Sequence, residues 1–311
     1  MKAQQMKSSL LLLLTALIWG VAFVAQSVGM DYVGPFTFNC VRSIIGGLVL
    51  IPCIALLDRM RPERDRSAKE CQAAEKSTAV EAPKTGRATL LAGGIWCGVL
   101  LCVASNLQQF GIAGTTVGKA GFITALYIVI VPILGLFLRR KCSPAVWVSV
   151  ALAVCGLYFL CMNEGLRIQK GDFLVLLCAL VFSIHIMVID HYTRLVDGVR
   201  MACIQFLVCG GLSGVCMFLF ENPSLHNILA AWQPILYAGI LSCGVGYTLQ
   251  IVGQKGMNPT VASLILSLES VISALAGLAL LNQKLSVRET AGCVLMFAAI
   301  ILAQLPGGKK A

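Results

Sequence analysis

Ten apolar runs, each close to twenty residues long, follow one another along the 311-residue chain with little sequence between them. They fall at 8–27, 34–57, 89–110, 117–138, 144–162, 172–192, 198–220, 233–254, 260–281 and 286–305. A helix of about 20 apolar residues matches the hydrocarbon thickness of a bilayer, so each run reads as a membrane span. In lipid the backbone must satisfy its own hydrogen bonds, which favours helices for runs of this length. Composition agrees: 12% of residues are charged, against about 25% in a soluble domain. The expected fold is therefore an all-α integral membrane protein with ten transmembrane helices and no soluble domain. The one long connection, 58–88, is charged and poor in large apolar residues, so a mobile surface loop without a core is expected there.

The formal charge of +10 raises the possibility of a nucleic-acid partner, but its distribution argues against one. With the N-terminus in the cytoplasm and the spans alternating, the inner segments hold 18 basic residues and the outer segments 4. Such a bias follows the positive-inside rule and places both termini inside, in a cytoplasmic or plasma membrane. Of the 14 cysteines only Cys71 and Cys142 lie outside the spans. The rest sit in apolar runs as small hydrophobes, with no CxxC or Cys/His cluster to hold a metal. Lys2 and Lys7 before the first run resemble a signal peptide's start, but the apolar stretch from Leu10 to Ala25 is long for one and reads as a retained helix.

The chain also matches itself. Sliding 107–160 against 249–302 without a gap aligns Leu107-Gln108, Gly111, Ala120, Leu126, Val129 and Gly135-Leu136 with identical residues at Leu249-Gln250, Gly253, Ala262, Leu268, Val271 and Gly277-Leu278. In the earlier spans Ala16, Leu17 and Trp19 face Ala179, Leu180 and Phe182. Two halves of five spans result, 1–162 and 172–305. Five is odd, so the second half enters the membrane from the opposite side, and an inverted repeat of this kind places its substrate site near the midplane between the halves.

Trp19-Gly20, Phe38, Arg42, the run from Gly121 to Ile133 and the run from Leu264 to Leu275 together resemble the drug/metabolite transporter superfamily in its ten-helix EamA branch. The resemblance covers nearly the whole chain. It implies a secondary transporter of small metabolites, such as amino acids, often moved outward. Two departures stand out. The family often has Glu-Pro in the ninth span, where Glu269 is followed here by Ser270. It often closes that span with Gly-Glu, where Asn282-Gln283 stands here.

Glu269 carries the most chemistry. It lies near the middle of an apolar run, where a carboxylate costs about 2.5–3.5 kcal/mol and so faces a partner or a wet cavity. Proton or cation coupling and contact with a substrate amine are the functional readings; bonding to Ser267, Ser270 or Ser273 is the structural one. Tyr127 is its counterpart in the first half. Arg42 offers a fork of donors to a carboxylate or phosphate, or locks helices through Asn39 or a carbonyl. Lys119, two helical turns from Tyr127, either meets an anion or snorkels to headgroups. Asn106 and Gln109 share one helix face, and Tyr247, Gln250 and Gln254 another. These amides either line a cavity or join helices. Trp19 is a candidate aromatic wall, and His185 a proton relay or a packed side chain. Gly94-x-x-x-Gly98 and Gly210-x-x-x-Gly214 read as close-packing motifs.

The sequence thus points to a secondary transporter working by alternating access, proton-coupled through Glu269, monomeric or homodimeric in lipid. It carries no P-loop or cofactor motif and no sign of enzymatic chemistry. The rival reading is a membrane-embedded enzyme acting on a lipid-like substrate, which would gather its polar residues at one membrane face.

Overall fold

A computed structural model describes residues 2–72, 86–114, 117–138, 144–161, 170–281 and 287–304. Among these residues the regular structure is entirely helical: α1 (Lys2–Gly29), α2 (Pro35–Gln72), α3 (Arg87–Ala113), α4 (Val117–Ala125), α5 (Tyr127–Phe137), α6 (Pro144–Cys161), α7 (Lys170–Tyr192), α8 (Gly198–Phe220), α9 (Leu225–Ala230), α10 (Trp232–Leu236), a π-helical segment (Tyr237–Gly246), α11 (Tyr247–Gln254), α12 (Pro259–Leu266), α13 (Leu268–Leu281) and α14 (Val287–Gln304). Among the described residues eight stretches are long and apolar enough to cross a membrane, with α4–α5, α10–α11 and α12–α13 each forming one of them. The fifth and tenth expected spans correspond to α6 and α14, whose apolar stretches, Val146–Gly156 and Thr290–Ala299, are shorter.

One expectation needs correction. Residues 58–72 are not loop, because α2 continues through them to Gln72. Arg59/Glu63, Arg61/Asp65, Asp65/Lys69 and Arg66/Glu70 all stand four apart with opposite charge, a spacing that supports an exposed helix. Residues 73–85 of the same connection lie outside the described residues.

Helix starts follow local chemistry. The Asp197 side chain accepts from the backbone N–H groups of Val199 and Arg200 to begin α8, and Asn258 accepts from Thr260 to begin α12 with Pro259 in its first turn. At the start of α2 the cap comes from elsewhere in the fold. Glu221, just beyond α8, accepts from Phe36 N (2.9 Å), Thr37 N (2.8 Å) and Thr37 Oγ1 (2.6 Å). At the far end of the same helix pair, Arg200 meets Asp58 at 2.8 Å.

The core is apolar, as in a soluble bundle, and the outer surface is apolar as well. Phe137, Phe218 and Phe220 are exposed on the outside, where lipid covers them. Small residues bring helices together: a Cβ on Gly98 of α3 would stand 2.8 Å from Gln205 O, and one on Gly210 of α8 would stand 2.8 Å from the Ile44 side chain. Both glycine motifs therefore lie at helix interfaces, α3 on α8 and α8 on α2. The ninth span is the most enclosed, 72% buried, against 39% for Pro35–Leu56 and Gly198–Phe220. Glu269 therefore sits on the helix at the centre of the bundle, with α1 and α4 packed against α13.

Candidate functional site

Three irregularities in the central helices shape the site. The fourth span breaks for one residue at Leu126, with ψ −11°, and the ninth breaks at Ser267, with ψ −12°. Both values tighten the α-helical turn towards a 3₁₀ turn. The breaks come one residue before Tyr127 and two before Glu269. Serine chemistry accounts for the second. The hydroxyls of Ser263, Ser267, Ser270 and Ser273 each donate to the carbonyl three residues back, at 2.7–2.9 Å, a pattern that bends helices. In the fourth span Pro132 has no N–H for the carbonyl of Ile128. The third irregularity is the π-helical segment. Trp19 Nε1 donates to Ser242 O at 3.4 Å and Thr15 Oγ1 to Gly246 O at 3.3 Å, which hangs α1 on its widened turns.

These elements enclose a buried cavity lined by Trp19, Ala22, Phe23, Gln26, Arg42, Gln108, Thr124, Tyr127, Phe182, His185, Ile186, Ser242, Tyr247, Gln250, Leu266 and Glu269. Glu269 is 4% exposed and accepts a 2.9 Å hydrogen bond from the Tyr127 hydroxyl. The neighbouring serines spend their protons on backbone carbonyls, so they are not its partners. Arg42 is 5% exposed, with Cζ 5.6 Å from the Phe38 ring centre. Its Nε is buried with no hydrogen-bond acceptor, and among the described residues it forms no ion pair. Asn39, the expected lock for Arg42, instead donates to Ser105 O and Asn106 Oδ1. His185 Nε2 lies 3.3 Å from Gln205 Oε1, leaving Nδ1 without a partner. Gln26 Oε1 and Gln250 Oε1 are also buried and unpartnered. Four such atoms around one cavity point to an occupant, water or ligand, that satisfies them. Trp19 and Tyr247 form an aromatic wall, their ring centres 4.5 Å apart.

The cavity offers about 40 Å³ to the centres of water-sized molecules. That is room for a few waters, well below the ~300 Å³ at which ligand pockets begin. A metabolite fits here only if the surrounding side chains or helices move apart.

Of the residues singled out from sequence, Trp19, Arg42, Tyr127, His185, Tyr247, Gln250 and Glu269 meet at this cavity. Asn106 and Gln109 do not line it. Asn106 joins α3 to α8 through Ser213 Oγ (3.0 Å), and Gln109 Nε2 donates to Gln26 O on α1 (3.0 Å). The side chain of Lys119 lies outside the described residues. Gln108, one of the polar residues that mark the third span but not one of the two chosen from it as site candidates, does line the cavity and donates to Thr124 Oγ1 at 3.2 Å. The signal was present, because Gln108 aligns with Gln250 in the internal match. Six aligned pairs line the cavity in full: Trp19/Phe182, Ala22/His185, Phe23/Ile186, Gln108/Gln250, Thr124/Leu266 and Tyr127/Glu269.

The sequence profile of the EamA-like transporter family matches residues 6–162 and again 169–305. This chain belongs to that family. The EamA-like transporters sit within the drug/metabolite transporter superfamily, and the chain is accordingly a multi-pass membrane transporter of a small molecule. An "Uncharacterized transporter" of Archaeoglobus fulgidus is 29% identical over 295 residues, covering 94% of this chain and 84% of that protein. The "Uncharacterized transporter YoaV" of Bacillus subtilis is 22% identical over 292 residues, covering 92% of each. A crystal structure that is 19% identical superposes with a TM-score of 0.74 over 96% of both chains, a likeness of fold alone.

Proposed function

We propose that this EamA-like protein is a secondary transporter that exports a small zwitterionic metabolite, of the amino-acid class, in exchange for protons. The carrying observation is that Arg42 and Glu269, groups of opposite charge, line one buried cavity without pairing with each other. A cargo with a carboxylate for the Arg42 fork and an amine for Glu269 bridges them. Its remaining polar atoms meet Gln26, His185 and Gln250. Glu269 binds cargo and proton in alternation, so proton entry drives cargo out.

The proposed architecture is ten membrane-crossing helices in two five-helix repeats of inverted topology, 1–162 and 172–305, rocking about the cavity. The paired lining residues support it, as do the helix breaks beside the aligned Tyr127 and Glu269. Helix contacts also recur under exchange of the halves: α1 with α13 and α7 with α5, α3 with α8 and α2 with the π segment. The convergence of polar groups inside the bundle supports transport over enzymatic chemistry at one face. The basic bias of the loops supports a cytoplasmic or plasma membrane with both termini inside.

Thermal melting of the purified protein against amino acids, amines, sugars and nucleosides tests the cargo, because a ligand that binds only the folded state raises Tm. The expected result is stabilisation by a zwitterion that disappears in Arg42→Ala and in Glu269→Gln. Stabilisation by a sugar or nucleoside that survives both substitutions would overturn the assignment.

A further inference from the structure

A second cavity, of about 400 Å³, opens at the end of the bundle where α1 begins. It lies between Gln5 and Ser8 of α1 and the turn from Lys255 to Val261 that joins α11 to α12. None of its lining residues is acidic, and it shares no residue with the cavity around Glu269. We propose that this is an anion-binding site that takes a phosphate group.

Four features converge. The exposed Lys255 brings a cation that no carboxylate pairs among the described residues. Ser8 is only 5% exposed, yet its hydroxyl makes no hydrogen bond among the described residues, and it faces the cavity. That hydroxyl is reachable from the cavity, so its partner is whatever fills the cavity, water or an anion. The cavity also receives the start of α12. There Pro259 has no N–H, Asn258 satisfies Thr260 N, and the N–H of Val261 has no acceptor among the described residues. An open N–H at a helix N-terminus, with the positive end of the helix dipole behind it, suits an anion. Donors of three kinds approaching from α1, the turn and α12 match a tetrahedral group with several acceptor oxygens better than a planar one. The volume falls in the range of small-ligand pockets, about 300–1,000 Å³, so the phosphate has room for an attached group. A ligand there ties the start of α1 to α12, and both helices continue to the transport cavity through Trp19 and Leu266.

The phosphate has two sources, a solute or an anionic lipid headgroup, and one experiment separates them from each other and from the transport site. The purified full-length protein is melted with sodium phosphate at fixed ionic strength, and separately in micelles containing phosphatidylglycerol or phosphatidylcholine. Wild type, Lys255→Gln, Ser8→Ala and Arg42→Ala are compared. The expected result is a rise in Tm with a phosphate-bearing anion that Lys255→Gln abolishes, Ser8→Ala reduces and Arg42→Ala preserves. A rise with free phosphate identifies a solute site, and a rise confined to phosphatidylglycerol identifies a headgroup site. No rise with either probe, a rise that survives both Lys255→Gln and Ser8→Ala, or a rise lost in Arg42→Ala overturns the proposal. Because Arg42→Ala leaves this site intact, failure of the zwitterion reading leaves the outcome here unchanged.

Discussion

At the residue scale, the proposed function rests on three buried side chains, Glu269, Tyr127 and Arg42. Glu269→Gln keeps the shape of the side chain and removes its proton. With transport coupled to proton entry, acidifying the outside accelerates export by the wild type, and the variant is expected to show no response. A variant whose flux still rises on acidification would exclude Glu269 as the coupling group. Tyr127 donates the hydrogen bond that Glu269 accepts. Tyr127→Phe leaves that carboxyl without its donor and is expected to lower stability by about 1–3 kcal/mol, read by chemical or thermal denaturation. Arg42→Ala removes a charged donor with no protein acceptor to leave stranded. Cargo affinity is expected to fall by roughly 10–100-fold, since hydrogen bonds to charged groups contribute about 1.5–3 kcal/mol, while stability changes little. Gly20 is constrained from the same direction. A Cβ there would stand 2.8 Å from the carbonyl oxygen of Glu269, so α1 approaches this closely only because position 20 has no side chain.

At the element scale, α2 and α8 are tied at both ends, and the two ties differ in strength. The Arg200–Asp58 pair is exposed, 43% and 42%, and pairs of that kind contribute about 0–1 kcal/mol. The Glu221 carboxylate takes three donors at the start of α2. Gly34 leaves room for it, since a Cβ there would stand 2.5 Å from a carboxylate oxygen. Glu221→Ala is expected to destabilise the protein by about 1–2 kcal/mol and Arg200→Ala by less, a ranking that denaturation of the two variants checks directly. The interruptions at Leu126 and Ser267 were only half legible. The serine ladder at 263, 267, 270 and 273 is plain in the sequence. That its hydroxyls bond to carbonyls, and so are spent before reaching Glu269, depends on rotamers that packing decides.

At the scale of the whole molecule, the small buried cavity and the repeated lining pairs are the observations on which the proposed movement of helices rests. Inverted repeats with an even total of spans return both termini to the side where the chain began. A fluorescent reporter fused at the C-terminus is accordingly expected to be active in the cytoplasm, and a phosphatase that works only outside the cytoplasm is expected to be inactive there. The reverse pattern would break the ten-span topology. The family profile, matched twice in succession, fits the chain's own internal match.

Sequence alone determined the environment and the cast. The apolar runs, the carboxylate at position 269 and the gapless match between halves are one-dimensional facts, because a bilayer reads length and hydropathy and a duplication preserves spacing. The tertiary structure decided which polar face looks inward. Asn106 and Gln109 lie on the same helix as Gln108, within three residues of it, yet Gln108 reaches the cavity while the other two bond to neighbouring helices. That choice depends on the rotation of α3 against α7 and α8, set by contacts such as Gly98 on Gln205 O. In a membrane every face of a helix can be apolar, so no amphipathic stripe in the sequence marks the inner side.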